Sequence, residues 1–254
     1  MKSIVVCKDL WKSYHQRPRI GFKELLVKRK TVGQNRFSRE WALRDVTFSV
    51  ERGKAFGIIG HNGTGKSTLL GLLLGTLVPD KGRISITGRV ASLLELGAGF
   101  HPELSGRDNV FLYGAILGMT LKEIRRVFQQ IVEFSELGDA IETPLRTYSS
   151  GMITRLGFST IIHAPADVLL IDEVLGVGDA RFQEKCKDYL IDFRKRNGTL
   201  VIVSHDMAAL EEMCDDGVCL NMGSAACIGP MSEVIRHYQG LVHAAQSSTE
   251  VGLS

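Results

Sequence analysis

One stretch of eight residues constrains the fold of this chain more than any other feature of its sequence. It reads Gly60-His61-Asn62-Gly63-Thr64-Gly65-Lys66-Ser67, fits the pattern G-x-x-x-x-G-K-[ST], and lies between an apolar segment ending at Ile59 and a helical pattern beginning near Thr68. Glycines let the backbone curl so that successive N–H groups face an anion, and the helix N-terminus adds partial positive charge. The sequence therefore predicts a phosphate-binding loop. The residues expected to contact the phosphates are Gly60, His61, Asn62, Gly63, Thr64, Gly65, Lys66, Ser67 and Thr68.

Lys66 and Ser67 have separate predicted roles within this loop. Lys66 is expected to reach the β- and γ-phosphates of a bound nucleotide, and Ser67 to ligate Mg²⁺. A glycine-rich turn could match the pattern by accident, but the order of strand, loop and helix makes that interpretation improbable.

Three short segments of the chain are almost wholly apolar and β-prone. They cover residues 55–59, 168–171 and 200–203, and each is followed by a polar cluster and then by a helical pattern. Strands that are buried on both faces of a parallel sheet have this character. The pattern predicts an α/β core.

The second of these segments is followed directly by two carboxylates, Asp172 and Glu173. Successive residues of a strand point to opposite faces. Asp172 is therefore expected to face a Mg²⁺ shell, while Glu173 faces the γ-phosphate and polarises an attacking water. An Asp-Glu pair alone is as often a solvated strand end. The phosphate loop upstream favours the catalytic interpretation.

Between the apolar segments 55–59 and 168–171 the sequence has the pattern of helices. The segments 105–108 and 120–123 both match the capping pattern S/T-x-x-D/E. The second opens a helix that places apolar residues from Ile124 to Phe134 on one face. We expect an inserted helical subdomain.

A loop near the end of this insertion carries a resemblance to a known family. The residues Tyr148, Ser149, Ser150, Gly151 and Met152, with Arg155 after them, occupy the place of the L-S-G-G-Q signature about twenty residues before the Asp-Glu pair. In this respect the chain resembles the ABC ATPases. The resemblance implies a RecA-like P-loop core with an N-terminal antiparallel β portion and an inserted helical subdomain. It also implies that Ser149 and the following helix N-terminus bind the γ-phosphate of an ATP held by a second copy of the chain.

Other elements follow in the order of that family. His205 stands where the switch histidine would bind the γ-phosphate and orient water together with Glu173. Asp179 matches the D-loop aspartate, and Tyr14 matches the aromatic residue that stacks on adenine. The expected cofactors are ATP and Mg²⁺.

The same resemblance suggests how the chain is divided. Residues 1–240 form one nucleotide-binding domain, in which 1–95 and 166–240 supply the RecA-like core with its β portion. The basic insertion covers 15–40, the helical subdomain 96–165, and a short tail 241–254.

One departure from the common pattern points to a particular branch. The usual Q-loop glutamine is absent, and Glu95 is the candidate to take its place, also as a metal ligand. The surrounding sequence, L-L-E-L-G-A-G-F-H-P-E-L-S-G, resembles that of ATPases that export bacterial surface polysaccharides such as O-antigen, capsule and teichoic acid. This resemblance implies a homodimer on the cytoplasmic face of the inner membrane, peripheral to a permease that is present in two copies. The transported substrate would be a polysaccharide linked to a lipid diphosphate.

Basic charge is concentrated between Lys12 and Arg39, where nine basic residues and one acidic residue give a local charge of +8 in a chain of net charge +3. Phe22, Leu25 and Leu26 have helical spacing within this segment. The pattern is typical of membrane-surface helices, although a solvated charged loop fits it equally well. The exporter resemblance favours a helix at the cytosolic mouth of a membrane channel.

Several other classes of protein are disfavoured by the sequence. No apolar stretch is long enough to span a bilayer, no secretion signal is recognisable, and five cysteines without a C-x-x-C pair argue against a disulfide framework or a zinc site. The alternatives that remain open are export of a different glycan, capsule or teichoic acid, and a soluble ABC ATPase clamp acting on nucleic acid. No nucleic acid is expected as a partner, because the chain lacks a long coiled-coil insertion and a second cassette.

Overall fold

A computed structural model of the chain describes residues 2–15, 39–94, 96–172 and 178–250. Residues 16–38 of the predicted basic insertion, together with Glu95 and Glu173, lie outside these ranges. The strands are β1 (Ser3–His15), β2 (Arg39–Glu51), β3 (Ala55–Ile59), β4 (Lys81–Ile86), β5 (Val90–Ser92), β6 (Val168–Asp172), β7 (Thr199–Val203), β8 (Asp216–Asn221) and β9 (Ser224–Pro230). The helices are α1 (Lys66–Leu74), α2 (Gly106–Ile116), α3 (Leu121–Ser135), α4 (Ser150–Ile162), α5 (Ala180–Lys195), α6 (Met207–Met213) and α7 (Met231–Glu250), with 3₁₀ turns at Gly138–Glu142 and Leu145–Thr147.

The central sheet has the strand order β5-β6-β7-β3-β8-β9. Its first five strands are parallel, and β9 returns antiparallel beside β8. Every residue of β3 and β7 is buried, as is β6 up to Ile171, because helices cover one face of the sheet, and α1 together with a second sheet covers the other. The three apolar segments of the sequence are therefore neighbouring strands of one parallel sheet, and the predicted α/β core is confirmed.

A second sheet of three antiparallel strands, in the order β2-β1-β4, packs against this core. Its apolar face shares one buried cluster with α1 and with the outer face of the central sheet. Phe48 of β2 stacks on Phe56 of β3, with ring centroids 4.9 Å apart. This sheet is the predicted N-terminal β portion.

The helical insertion is formed by α2, α3 and α4 around its own buried cluster, which includes Val110, Ile124 and Leu156. Both predicted caps are present. The Ser105 hydroxyl accepts a hydrogen bond from the Asp108 backbone N–H, and Thr120 and Glu123 cap each other reciprocally at the start of α3.

Charged side chains connect this insertion to the core. Arg89, beside β5, forms an ion pair with Glu123 at 3.1 Å, and Lys185 of α5 forms one with Glu136 at 3.0 Å. The backbone N–H and hydroxyl of Thr120 and the Arg89 guanidinium lower the pKa of Glu123 to about 2. Ion pairs at the surface therefore join the insertion to the core, in addition to apolar packing.

The C-terminal helix α7 packs against β3, β8 and β9. Its first residue, Met231, lies over two glycines of the sheet: a Cβ at Gly57 or Gly217 would be 2.6 Å from the Met231 sulfur. The helix runs to Glu250, whereas the sequence predicted a separate tail from residue 241. Leu241 packs on the core cluster, so apolar contact continues beyond the expected end.

Candidate nucleotide-binding site

The phosphate loop connects the C-terminal end of β3 to α1 and needs glycine at two tightly packed positions. Gly65 has φ of +105°, and a Cβ there would lie 2.5 Å from the Ala42 carbonyl oxygen. A Cβ at Gly60 would lie 2.5 Å from the Leu220 carbonyl oxygen. Both distances are shorter than real contacts, so the loop can take this path only without side chains at these positions. Ala42, on β2, was not predicted, because its contact is made by a backbone atom.

Lys66 is held inside the loop by hydrogen bonds to the loop backbone. Its side chain is 8% exposed, and its ammonium donates to the carbonyl oxygens of Gly60 at 2.6 Å and His61 at 3.0 Å. The Thr64 hydroxyl also donates to the His61 carbonyl oxygen, at 2.8 Å. These bonds offset the cost of burying the charge and place it where the loop surrounds an anion.

One cavity of about 360 Å³ joins the residues that the sequence predicted separately. Ser67 lies at the N-terminus of α1, Asp172 at the end of β6, and His205 in the loop after β7. They meet because the carboxyl ends of parallel strands share one edge of the sheet. The lining residues are Ala42, Asn62, Gly63, Gly65, Lys66, Ser67, Thr68, Asp172, Val203 and His205.

The donors in this cavity fit Mg²⁺ bound together with phosphates. Within the described ranges no group of three or more His, Cys, Asp or Glu side chains could hold a metal ion without further ligands. Ser67 and Asp172 nevertheless line the same cavity. Mg²⁺ typically takes one or two protein oxygens and completes its shell with substrate phosphates and water.

His205 is positioned by the hydrogen bonds of its neighbours. The Asp206 carboxylate accepts from the backbone N–H groups of Ala208 at 3.0 Å and Ala209 at 3.1 Å, which caps α6, and the Asp206 N–H donates to the Ser204 hydroxyl at 3.0 Å. The loop therefore fixes His205 between the end of β7 and the start of α6. Its cooperation with Glu173 stays a prediction.

Tyr14 lies beside the same cavity, near the end of β1. Its ring is 43% exposed, and its hydroxyl is 3.4 Å from the Thr68 hydroxyl. The Lys12 ammonium lies 5.9 Å from the ring centroid. An exposed ring at the start of α1 is suitably placed for stacking on a base, so the position is compatible with the predicted contact.

The signature residues line a different cavity, of about 630 Å³. Ser149 caps α4 by accepting a hydrogen bond from the Met152 N–H at 3.2 Å, so the N-terminus of α4 opens into this cavity. The lining residues are Ser149, Ser150, Gly151, Met152, Thr154, Arg155, Gly178 and Asp179. Among the described residues, none lines both this cavity and the phosphate cavity. Asp179, which was predicted from a separate motif, lies beside the signature residues.

Arg155 connects the signature helix to Asp179. Its guanidinium forms an ion pair with the Asp179 carboxylate and a longer one, 3.6 Å, with Glu136. The guanidinium carbon also lies 5.2 Å from the centroid of the Phe182 ring. The Asp179 carboxylate in turn caps α5 by accepting from the Phe182 N–H at 2.9 Å. Sequence reasoning placed Arg155 near the signature but did not predict this pair.

Tyr148 differs from the other signature residues. It was predicted to face the partner's ATP, but its side chain is only 8% exposed, and its hydroxyl donates to the Ala140 carbonyl oxygen inside the helical insertion. Burial raises its pKa. Tyr148 therefore attaches the signature loop to the helical insertion, because its ring is part of the insertion's apolar cluster.

Comparison with known proteins agrees with this geometry. The profile of the ABC transporter family matches residues 43–176. An O-antigen export system ATP-binding protein of Klebsiella pneumoniae is 46% identical over 86% of this chain and 89% of its own length. A second protein of that name from the same organism is 43% identical over 94% of this chain and 98% of its own length. A teichoic acids export ATP-binding protein of Lactococcus lactis is 43% identical over 80% of this chain and 43% of its own length.

A solved structure supports the fold. A dimeric ATP-binding cassette in a post-hydrolysis state with ADP and phosphate superposes with a TM-score of 0.70, at 18% identity, over 89% of this chain and 98% of that one. Fold and cavity together define a P-loop nucleotide-hydrolysing cassette. With the family match, the chain belongs to the ABC transporter family, in which it binds and hydrolyses ATP.

Proposed function

We propose that this ATPase drives the export of a lipid-linked surface polysaccharide, with O-antigen as the first candidate. Two relatives named for O-antigen export match nearly the whole chain and support this choice. The teichoic acids relative supports another exported glycan as the alternative. The observation that carries the chemistry is the single cavity joining Lys66, Ser67, Asp172 and His205.

Each side chain of the proposed site has one task, and that of Glu173 is assigned from the sequence alone because Glu173 lies outside the described residues. Lys66 and the loop N–H groups bind the β- and γ-phosphates, and Ser67 and Asp172 are the protein ligands of Mg²⁺. Bound Mg²⁺ neutralises charge on the phosphates. Glu173 orients the attacking water, and His205 donates a hydrogen bond to the γ-phosphate oxygens.

We propose that two copies of the chain work as a head-to-tail pair. Each ATP then lies between the phosphate cavity of one chain and Ser149, Ser150 and Gly151 of the other. The separation of the two cavities within one chain supports this arrangement, because a helix N-terminus lined with small polar residues is available to an anion from outside. The dimeric cassette of the same fold is compatible with it.

A third cavity is the proposed docking site for the permease. It is a mainly apolar cleft of about 710 Å³ between α1, β5 and α2, and therefore between the core and the helical insertion. Ile116 lines it and is 58% exposed. No helix among the described residues is long and apolar enough to cross a bilayer. We propose that a separate membrane subunit supplies the channel and that a short cytoplasmic helix of that subunit occupies the cleft.

The proposed location is the cytoplasmic face of the inner membrane, where ATP and the lipid-linked substrate are both accessible. The basic insertion 15–40 is proposed to contact anionic lipid, the permease or the substrate diphosphate.

The assignment of Glu173 is tested with Glu173→Gln. Loss of the carboxylate that orients water should lower ATP turnover by about 100-fold or more, while ATP binding persists because Lys66 and the loop amides are unchanged. Phosphate release and nucleotide binding are measured on the same preparation. Glu133→Gln, on the exposed surface of α3, is the control. Turnover close to wild type would refute the role of Glu173.

The permease cleft is tested with Ile116→Asp. A carboxylate in an apolar cleft cannot be desolvated without cost, so the variant should lose co-purification with the membrane subunit and stop glycan export, while ATP binding persists. Leu112→Asp is the matched control, because Leu112 is exposed on the same helix but does not line the cleft. Equal effects of the two substitutions would argue against the cleft.

A further inference from the structure

A contact between the C-terminal helix and the phosphate loop is not explained by the proposed chemistry. The ring of Tyr238, on α7, lies against the ring of His61, with centroids 5.2 Å apart and an angle of 51° between the planes. His61 is the second residue of the phosphate loop and belongs to a stretch without helix or strand. An aromatic contact of this kind stabilises the relative position of the two rings, beyond the effect of the surface that it buries.

The carbonyl oxygen of His61 accepts two of the hydrogen bonds that close the phosphate loop. The Lys66 ammonium and the Thr64 hydroxyl both donate to it, at 3.0 Å and 2.8 Å. A displacement of the His61 backbone therefore moves the groups that hold Lys66 and changes the direction of the loop N–H groups. The position of the His61 side chain is thus connected to the geometry of phosphate binding.

Tyr238 is itself held firmly. Its helix starts with Met231 packed over Gly57 and Gly217, and Val234, one turn before Tyr238, is fully buried. The Tyr238 ring is partly buried on the core cluster, and burial, with a smaller contribution from the nearby Cys219, raises its pKa. Cys219 is the partner in β8 of Ile59, the last residue of β3 before the loop. The ring is therefore fixed relative to the strand that delivers the loop.

The neighbouring residue on α7, Gln239, contacts the helix that follows the His205 loop. The Gln239 amide lies 3.9 Å from the sulfur of Met207, the first residue of α6. That helix follows directly after His205 and its capping residue Asp206. One turn of α7 thus touches both the phosphate loop and the helix that begins at the His205 loop.

We propose that Tyr238 is a positioning residue that sets the affinity of the phosphate loop for ATP through its contact with His61. The inference rests on the nucleotide site proposed above and adds to it a residue from the far end of the chain. Tyr238 does not touch the reacting atoms. It restrains His61, and through His61 the loop closed by Lys66, so that less order has to be gained when phosphates bind.

The test compares three substitutions in the full-length chain. Tyr238→Leu removes the ring but keeps an apolar side chain, and should raise both KM and the dissociation constant for ATP about threefold to tenfold, as expected for loss of one aromatic contact. Its kcat should change by less than about twofold, because no reacting group is altered. Tyr238→Phe should behave like wild type. Leu241→Ala is the control, because it weakens the packing of α7 on the core without touching the loop.

A double-mutant cycle with His61→Ala gives the decisive outcome. If the contact acts as proposed, Tyr238→Leu has no further effect on ATP affinity once His61 is replaced. A merely structural role would lower the melting temperature in both Tyr238→Leu and Leu241→Ala with unchanged KM, and that result would overturn the inference. Lys66→Ala distinguishes failure of the proposed nucleotide site from failure of the role of Tyr238. Normal ATP binding by Lys66→Ala would refute the nucleotide site itself. Loss of ATP binding in Lys66→Ala together with normal binding in Tyr238→Leu would refute only the role of Tyr238.

Discussion

The phosphate cavity and the signature cavity are built in different ways. The first is shaped mainly by the backbone. Two glycines of its loop leave no room for a Cβ, backbone carbonyl oxygens hold the buried Lys66, and a fully buried strand leads into the loop. The second is built from side chains at a helix N-terminus, where Ser149 caps α4 and Arg155 pairs with Asp179. Backbone contacts shape the first cavity within one chain, whereas in the proposed pair the second presents donors to a nucleotide held by the other chain.

This difference separates affinity from turnover. In the proposed assignment, a single chain has the groups that hold the phosphates, since the loop closes on itself through His61 and Lys66. The signature side is proposed to add donors that act only when the γ-phosphate of the other chain's ATP reaches them. Substitutions in the two cavities should therefore have distinct effects on ATP binding and on hydrolysis.

The largest separation is expected for Ser149→Arg. Arginine in place of Ser149 removes the cap of α4 and puts a long cation where the partner's γ-phosphate is proposed to bind, so hydrolysis at that site should fall about 100-fold or more. ATP binding by the single chain should stay within about twofold of wild type, because no group of the phosphate cavity is altered. Phosphate release and equilibrium binding of a fluorescent ATP analogue measure the two effects. Gln129→Arg, on the exposed face of α3, controls for added charge. Parallel loss of binding and hydrolysis would mean that Ser149 serves the chain's own site.

A smaller effect is expected where two glycines of the phosphate loop are compared. Both have positive φ, +105° at Gly65 and +81° at Gly63, but a Cβ meets the Ala42 carbonyl oxygen only at Gly65, and nothing lies within 4 Å at Gly63. Gly63→Ala should cost about 1 kcal/mol of unfolding free energy, the strain of an L-residue in this region. Gly65→Ala should cost roughly 3 kcal/mol because the backbone must also move. Denaturant unfolding without nucleotide measures both, and equal losses would contradict the backbone origin of the cavity.

The smallest effect concerns the charged connection between the helical insertion and the core. The folded-state pKa of Glu123 is lowered from 4.5 to about 2 by its hydrogen bonds to Thr120 and by Arg89, so its ionised form stabilises the fold at neutral pH. That contribution is complete above the unfolded value and is lost as the pH falls from about 4.5 towards 2.

Glu123→Gln should therefore melt at a lower temperature than wild type at neutral pH, and the difference should shrink as the solution is acidified through that window. Melting curves across the pH range measure it, with Glu133→Gln as a control on the same helix. A difference that is independent of pH would show that shape, and not charge, is what Glu123 contributes.

The features that the sequence predicted are those whose chemistry is local. The phosphate loop is contiguous from Gly60 to Ser67, and both helix caps are read from residues three positions apart. Asp172 could be placed because a parallel strand carries its last residue to a known edge of the sheet. These predictions rest on residues that are close together in the sequence, so the same local geometry is expected wherever such a motif occurs.

The features that escaped prediction are contacts between distant segments. The Ala42 carbonyl against Gly65, the pair of Arg155 with Asp179, and Tyr238 against His61 depend on how whole elements pack, and no short pattern specifies them. The burial of Tyr148 was hidden for the same reason, since an aromatic residue before a Ser-Gly loop can face either way. Distances set by tertiary packing are not encoded in local periodicity.

The phosphate cavity and the signature cavity are lined by different residues in the part of the chain that the structure describes, and this has a consequence for genetics. In the proposed pair, a gene copy encoding Lys66→Ala and another encoding Ser149→Arg are each inactive. Expressed together, they form mixed pairs in which one site combines both defects, while the other joins an intact phosphate loop to an intact signature. Two inactive alleles should therefore complement each other in one cell, whereas two alleles that both damage the phosphate loop should not.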